Sequence, residues 1–319
     1  MFKKIFITGG AGFIGSHISE YFFFKYPNAK IIILDKLTYA GNTKFLKKII
    51  KSKRVTFIKN DIIDYKSYEK YLKYVDLAIN VAAESHVDNS FKSPLTFTLT
   101  NTYGSHTFLL NCINKKVKKI IHISSDEVYG EILKGKNTET NFVNPTNPYS
   151  ASKAAADIII NSYKFSYKKE IIIIRPNNIY GIRQYPEKLI PSCITKLLDN
   201  KKIIIHGRGE NIRHYLSVKD FVNAVNLIAV KKDKGIYNIA SKTYFKNIHL
   251  AKLICKIMNK NPKRFIKFSK DRPYNDKRYS VSCAKVKKLG WKENYYLIKD
   301  LPDIINWYKK NKSIFKKLI

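Results

Sequence analysis

Cysteine is scarce and solitary. The chain carries four in 319 residues, Cys112, Cys193, Cys255 and Cys283, with no CxxC spacing. That pattern excludes a zinc ribbon or a disulfide framework and leaves buried thiols. Long apolar runs are missing too: the opening "MFKKIFITGG" stops at glycine, too soon for a signal-peptide core or a membrane span. A cytoplasmic protein without membrane association is therefore expected. Acidic residues are few, 24 against 60 Lys and Arg, for a formal charge of +36. Such an excess raises the question of a nucleic-acid partner. The lysines, however, are spread along the whole chain with no basic arm or aromatic-interleaved cluster. They accompany abundant Ile, Asn, Tyr and Phe, a composition that AT-rich codons produce. Dispersed charge is normally a solvated surface, so no nucleic-acid partner is expected. A small substrate carrying a diphosphate would need only a few of these cations.

What is present fits a folded globule: 45% hydrophobic and 13% aromatic residues, in a length suited to one large domain or two closely associated ones. The first half alternates short β-branched runs with longer amphipathic stretches, which implies an α/β, Rossmann-type doubly wound parallel sheet. Strands are expected at Ile5–Thr8, Ile31–Leu34, Val55–Ile58, Leu77–Val81, Lys119–Ser124 and Ile171–Arg175. Runs such as "IIII" at Ile171–Ile174 suit strands covered on both faces. Helices are expected at Phe13–Tyr26, ending before Pro27, and at Pro94–Asn114 and Tyr149–Tyr167. After Arg175 the pattern loosens into a smaller C-terminal substrate-binding lobe. Residues 1–175 would bind the nucleotide cofactor and 176–319 the substrate, with 212–240, containing "YLSVKDFVNAVNLIAV", packing back on the first lobe. The terminal "KSIFKKLI" reads as a helix end or a frayed tail.

The glycine loop "ITGGAGFIGS" follows the first strand and opens the first helix, placing Gly9, Gly12 and Gly15 in a GxxGxxG pattern. Glycine there permits a tight turn and lets amides at a helix N-terminus approach a pyrophosphate. Twenty residues beyond Gly15, the strand "IIILD" ends in Asp35, the spacing of an acid that binds an adenosine ribose. An acid at this place repels a 2′-phosphate, so NAD is expected over NADP. "NDI" at Asn60–Ile62 is placed to bracket the adenine, and "VAAES" at Val81–Ser85 ends the next strand at the edge where ligands of such sheets sit.

Two further features carry chemistry. "NPYSASKAAAD" sets Tyr149 and Lys153 four apart, on one face of a helix. A cation beside a phenol lowers its pKa and equips it as a base toward a sugar hydroxyl. "HISSDEVYG" sets Ser125, Asp126 and Glu127 at the end of a strand. Two adjacent carboxyls resist double ionisation, so one keeps its proton and the pair supplies an acid and a base together. His86 and His122 lack partners at ligand spacing, and no metal is expected.

Together these segments resemble the nucleotide-sugar 4,6-dehydratases of the extended short-chain dehydrogenase/reductase family. The likeness runs through "DKLTYAGN", "AAESHVD", "SSDEVYG", "PYSASK", "YPEKLIP" and "DRPYNDKRY" to "LGW", nearly the whole chain. It implies a homodimeric, NAD-dependent enzyme that converts a nucleotide-glucose to its 4-keto-6-deoxy sugar plus water, for deoxysugar supply, with a related nucleotide-sugar epimerase or decarboxylase on the same scaffold as the alternative. The implied dinucleotide site comprises Gly9, Gly12, Phe13, Ile14, Gly15, Asp35, Lys36, Leu37, Thr38, Asp61, Ile62, Ala82, Ala83 and Thr100, with Tyr149 and Lys153. Asp126 is implied as the acid for the carbon-6 hydroxyl and Glu127 as the base for the carbon-5 hydrogen. Ser125 stands where the nearest members carry threonine, and its hydroxyl can still bond the oxygen at carbon 4. Related 4-epimerases lack the acid pair, which makes Asp126 the best discriminator.

The resemblance also assigns Ser85, Ser125, Asn178, Lys188, Leu189, His206, Arg213, Asn247, Arg272 and Asn275 to the nucleotide-sugar. Arginine suits a diphosphate through its planar fork. His206 falls where members often have a base-stacking tyrosine, Asn275 where they often have histidine, and His214 in place of a common acid. Thymine and uracil both stay open as the base.

Overall fold

The computed structural model describes residues 2–167, 169–231 and 235–318. Its strands are β1 (Lys4–Thr8), β2 (Lys30–Asp35), β3 (Val55–Lys59), β4 (Leu77–Asn80), β5 (Lys119–Ile123), β6 (Glu170–Pro176), β7 (Asn178–Tyr180), β8 (Ile203–His206), β9 (Ile212–Ser217), β10 (Gly235–Ile239), β11 (Tyr244–Lys246) and β12 (Ile266–Ser269). Seven form one sheet in the order β10-β6-β5-β4-β1-β2-β3, and every neighbouring pair is parallel. The six strands expected from sequence are all present, and β10 extends the sheet beyond them.

Period two along these strands divides the core between the two faces. Ile5, Ile7, Ile31, Ile33, Ile172 and Ile174 point to one face, and Phe6, Ile32, Leu34, Ile171 and Ile173 to the other. Each such fully buried side chain stabilises the fold by roughly 1.5–3 kcal/mol relative to exposure. The helices are α1 (Phe13–Lys25), α2 (Val87–Lys92), α3 (Pro94–Phe97), α4 (Ser105–Asn114), α5 (Pro148–Tyr167), α6 (Leu189–Leu198), α7 (Val218–Val230) and α8 (Asn247–Ile257), of which α1 and α7 pack on one face of the sheet and α4 and α5 on the other. Residues of α7 join the core beside α1, and β10 pairs with β6. A separate core around Ile190, Ile194, Leu250, Ile254, Leu301 and Tyr308 supports the second lobe.

Two expected elements differ in detail. The continuous helix over Pro94–Asn114 is interrupted, with a π-helical stretch at Thr98–Gly104 between α3 and α4. The widened turn accompanies buried Asn101, whose amide accepts from Glu84 N at 2.8 Å and donates to Glu84 O at 3.0 Å and Ser152 Oγ at 2.9 Å. A π-bulge is a recognised way to re-aim helical side chains at a functional site. The C-terminal segment, expected as a helix end or a frayed tail, is a 3-10 helix of its own over Lys312–Leu318 with Phe315 buried. Three cysteines are buried, whereas Cys283 is half-buried, and all four are free.

Helix α5 begins behind Asn147, whose side chain accepts from Ser150 N at 2.9 Å. One stripe of α5 carries Tyr149, Lys153 and Asp157 into the interior. Asp157 pairs with Arg175 at the end of β6, Nε to Oδ2 at 2.8 Å, and Arg175 lies 4.6 Å over the Tyr129 ring. Breaking a buried pair leaves an uncompensated charge and costs about 3–5 kcal/mol. Asp157→Ala is expected to lower stability by about that amount, read as a reduced urea midpoint; an unchanged midpoint would contradict a structural role for the pair.

Candidate active site

The carboxyl ends of β1 and β4, where the strand order reverses, are joined by side chains. Thr8 Oγ1 donates to Asn80 Oδ1 at 2.6 Å and accepts from Val81 N and Ala82 N at 3.1 Å each. This tie brings the turn after β4 against the glycine loop so closely that only glycine fits. Gly9 has φ +62°, and a Cβ there would meet the Ala82 backbone at 2.7 Å; a Cβ on Gly15 would meet Gly9 O at 2.0 Å. The first turn of α1 has neither an acidic residue nor a side-chain cap, so its amides stay available to an anion. Asp35 ends β2 almost fully buried and accepts from Ala11 N and Leu37 N, both at 2.8 Å. Burial raises its pKa, opposed by those backbone donors. Each carboxylate oxygen retains a further lone pair for a ribose hydroxyl.

A cavity of about 370 Å³ opens along this edge. Of the residues expected to bind a dinucleotide, Gly9, Gly12, Phe13, Ile14, Gly15, Asp35, Lys36, Thr38, Asp61, Ile62, Ala82, Ala83, Thr100, Tyr149 and Lys153 all line it. Leu37 does not: its amide orients Asp35 while its side chain packs against the core. Lys36 and Asp61 face each other at 2.6 Å. The glycine cradle, the open helix end and Asp35 fit a dinucleotide on the geometry of the chain itself.

Farther along the cavity lie Ser125, Glu127, Tyr149 and Lys153. Ser125 caps the short helix Asp126–Tyr129, accepting from Glu127 N at 3.2 Å, and also hydrogen-bonds the Tyr149 phenol. Lys153 Nζ donates to Ile123 O at 2.7 Å. Burial brings its pKa down to about 8, with Asp157 opposing. The expected depression of the Tyr149 pKa is not found in the chain alone. Burial first, then Glu127, pushes the phenol above its ordinary value, and the Lys153 ammonium is spent on the β5 carbonyl.

The acid pair is split by its surroundings. Asp126 is set just behind the cavity wall, 2% exposed, with Oδ2 accepting from Asn177 at 2.6 Å and Oδ1 buried without a protein partner. Burial, then the Glu127 charge, pushes its pKa up to about 7. Glu127 faces the cavity. Burial, with Asp276 adding to it, raises its pKa as well, and Arg213, Lys188 and Arg272 oppose that rise. The two adjacent carboxyls thus have unequal surroundings, with the cations gathered chiefly about Glu127.

The expected substrate residues fall into two groups. Ser85, Ser125, Asn178, Lys188 and Leu189 line the cavity, with Lys188 Nζ donating to Ser85 O. His206, Arg213, Asn247, Arg272 and Asn275 stand outside that lining. Arg213 lies 4.5 Å over the Tyr279 ring and its Nη2 is 3.5 Å from Asn275 Oδ1. Asn275 also donates to Asp271 at 2.7 Å, and Asn247 opens α8 with its amide on Asn211 O. Sequence reasoning missed Asn177, and gave no role to Glu84 or Glu187, which line the cavity from opposite lobes. Both stood inside the segments "AAESHVD" and "YPEKLIP", which was the available signal. Among the described residues no group of three or more His, Cys, Asp or Glu could hold a metal ion.

The parallel sheet, the glycine turn with Asp35, and Tyr149 with Lys153 define a protein of the extended short-chain dehydrogenase/reductase class. Comparison narrows this. The family described as GDP-mannose 4,6 dehydratase matches residues 6–301, and the chain belongs to it, within the nucleotide-sugar 4,6-dehydratases. It is 40% identical to a dTDP-D-glucose 4,6-dehydratase of Dictyostelium discoideum, over 99% of this chain and 84% of that protein. It is equally 40% identical to a trifunctional UDP-glucose 4,6-dehydratase of Arabidopsis thaliana, over 97% of this chain but 47% of that protein. Among solved structures, DesIV, a dTDP-glucose 4,6-dehydratase of Streptomyces venezuelae crystallised with NAD and TYD, superposes with a TM-score of 0.96 at 34% identity, covering 99% of this chain and 100% of that one.

The raised Asp126 pKa has a consequence for stability. A carboxyl with pKa 3.8 unfolded and about 7 folded binds more protons in the native state, so stability falls as pH rises between those values. Asp126→Asn removes that loss. The variant is expected to melt higher than the parent at pH 8, with the difference shrinking as pH falls and gone by about pH 4; a pH-independent difference would contradict the shift.

Proposed function

We propose that the chain is a dTDP-glucose 4,6-dehydratase, a hydro-lyase using NAD, and that it releases the 4-keto-6-deoxy nucleotide sugar and water. The observation that carries this reading is Asp126 buried beside Glu127 at the end of β5, where burial and the neighbouring charge push its pKa up to about 7. An epimerase has no need of a protonated acid at carbon 6. When bound, NAD supplies the acceptor of a hydride from carbon 4 and its donor back to carbon 6. The remaining steps belong to the chain. Tyr149, hydrogen-bonded to Ser125, is placed to take the proton of the carbon-4 hydroxyl, and an incoming positive charge near it would offset the carboxylates that now raise its pKa. Glu127 removes the hydrogen at carbon 5, acidified by the adjacent ketone, and returns a proton to carbon 5 when carbon 6 is reduced. Asp126 protonates the departing carbon-6 hydroxyl. Lys188, Arg213 and Arg272 gather positive potential around Glu127, which suits the diphosphate and favours the carboxylate form of Glu127 that can accept a proton.

On this reading residues 1–175, joined by α7 and β10, hold the cofactor, and 176–319 supply most of the nucleotide-sugar contacts. UDP-glucose is the second candidate substrate, supported by the likeness to the plant enzyme and by His206 and Asn275 near the nucleotide end. The two chains of a homodimer would meet through the exposed apolar face of Leu95, Leu99, Tyr103, Ile158 and Phe165 on α3, the π-helical stretch and α5. Sedimentation is expected to give the mass of two chains, and a single-chain mass would contradict the dimer. A charged nucleotide sugar as substrate, with four free thiols, favours a cytoplasmic setting.

Incubation with dTDP-glucose and with UDP-glucose, each followed by mass measurement, is expected to show loss of one water from at least one of them, and the relative rates assign the base. No loss from either would overturn the reading. Glu127→Gln removes the base while sparing carbon-4 oxidation, so turnover is expected to drop by about 10²–10⁴-fold while reduced-cofactor absorbance builds on the enzyme. Normal turnover would show that another group abstracts the proton.

A further inference from the structure

Asp88, in α2, lies outside the cavity lining, and the reaction above gives it no task. Its carboxylate nevertheless gathers groups from segments remote in sequence. Arg272 forms an ion pair with it: Nη2 donates to Oδ2 at 3.3 Å, and Nε lies 2.6 Å from Oδ1 without its N–H being aligned for a hydrogen bond. His206 Nε2, at the end of β8, is 3.7 Å from Oδ2, and His86 Nε2, just before α2, is 3.6 Å from it. Burial pushes the Asp88 pKa upward, but Arg272 and the two imidazoles outweigh it and hold the carboxyl below its ordinary value.

A guanidinium offers five N–H donors around a plane. Close approach of the Nε side to the carboxylate, with one Nη2 hydrogen donated to it, leaves the outer edge, Nη1 and the second Nη2 hydrogen, for another acceptor. Among the described residues no hydrogen bond from Nη1 is formed. Arg272 is also one of the three cations whose charge reaches Glu127. Its fork is thus fixed along one edge by the first lobe, while its charge bears on the site where the sugar reacts.

We propose that Asp88 is a positioning residue for the nucleotide end of the substrate. It clamps the inner edge of Arg272 so that the outer edge meets the diphosphate, and it moors His206 alongside. This rests on the nucleotide-sugar reading above. A latch in which Asp88 occupies the diphosphate's own place would have the opposite sign, because removing the carboxylate would then tighten binding.

The test uses full-length enzyme with its NAD. Wild-type dehydration of dTDP-glucose or UDP-glucose is established first, and failure there removes the functional reading rather than the role of Asp88. Asp88→Asn keeps the side-chain shape and loses the charge. We expect the Kd for dTDP and the KM for the accepted nucleotide-glucose each to rise about tenfold, the loss of one charge-assisted contact, with kcat within about twofold and bound NAD unchanged. Arg272→Lys keeps the charge, loses the fork and is expected to raise KM by a similar factor. In that background Asp88→Asn is expected to add less than about twofold, because the two act as one unit. An unchanged or lower Kd in Asp88→Asn, a loss confined to kcat, or full additivity of the two substitutions would overturn the proposal. Should Asp88→Asn not fold, Arg272→Lys decides through the same split, with an unchanged KM overturning it.

Discussion

Two adjacent carboxyls taken out of water cannot both stay ionised unless cations lie close enough to repay the desolvation. At Asp126 and Glu127 the fold gives the two residues different neighbours. Asp126 turns inward, with Asn177 on one oxygen and nothing on the other. Glu127 turns to the cavity, under the combined charge of Lys188, Arg213 and Arg272. The difference follows from the short helix at the end of β5, which Ser125 caps, since consecutive residues on a tight helix point in different directions. On the proposed reading, that split supplies the acid and base that an elimination requires. From it also comes the electrostatic load on Tyr149, whose phenol is raised by burial and by Glu127.

Behind the site is a second charged layer, also buried. Lys153, Asp157 and Arg175 run along α5 and β6, and burial lowers Lys153 while Asp157 restrains the drop. His122, with its ring beside Asp157, has its pKa driven well down by burial and then by Lys153 and Arg175, so it stays neutral there. This layer holds Lys153 against the β5 carbonyl and fixes the reacting face of α5. The parallel sheet makes such an arrangement possible, because strands covered on both faces end together at one edge where loops are free to carry polar groups.

Much of this was legible in the sequence, for identifiable reasons. Continuous apolar strands such as Ile171–Ile174, and a glycine loop followed by Asp35, are local patterns with one physical solution each. Tyr149 and Lys153 share a helix face by spacing alone. What was not legible depends on contacts across the chain. The π-helical stretch answers Asn101 meeting Glu84 and Ser152, which no local periodicity records. Leu37 was grouped with the cofactor contacts because it adjoins Asp35, yet it serves through its amide. The Tyr149 pKa was expected to fall because Lys153 is one turn away, but the ammonium donates to Ile123 O. Asn177 and Asp88 acquire meaning only from partners 51 and 184 residues distant.

The central claim, that burial and unequal neighbours split the ionisation of Asp126 and Glu127, is most directly tested by carbon-13 NMR titration of the side-chain carboxyls, assigned by single substitution. The account predicts that the two carboxyls titrate apart, with the Asp126 signal titrating near pH 7. Two carboxyls titrating together close to pH 4 would contradict it.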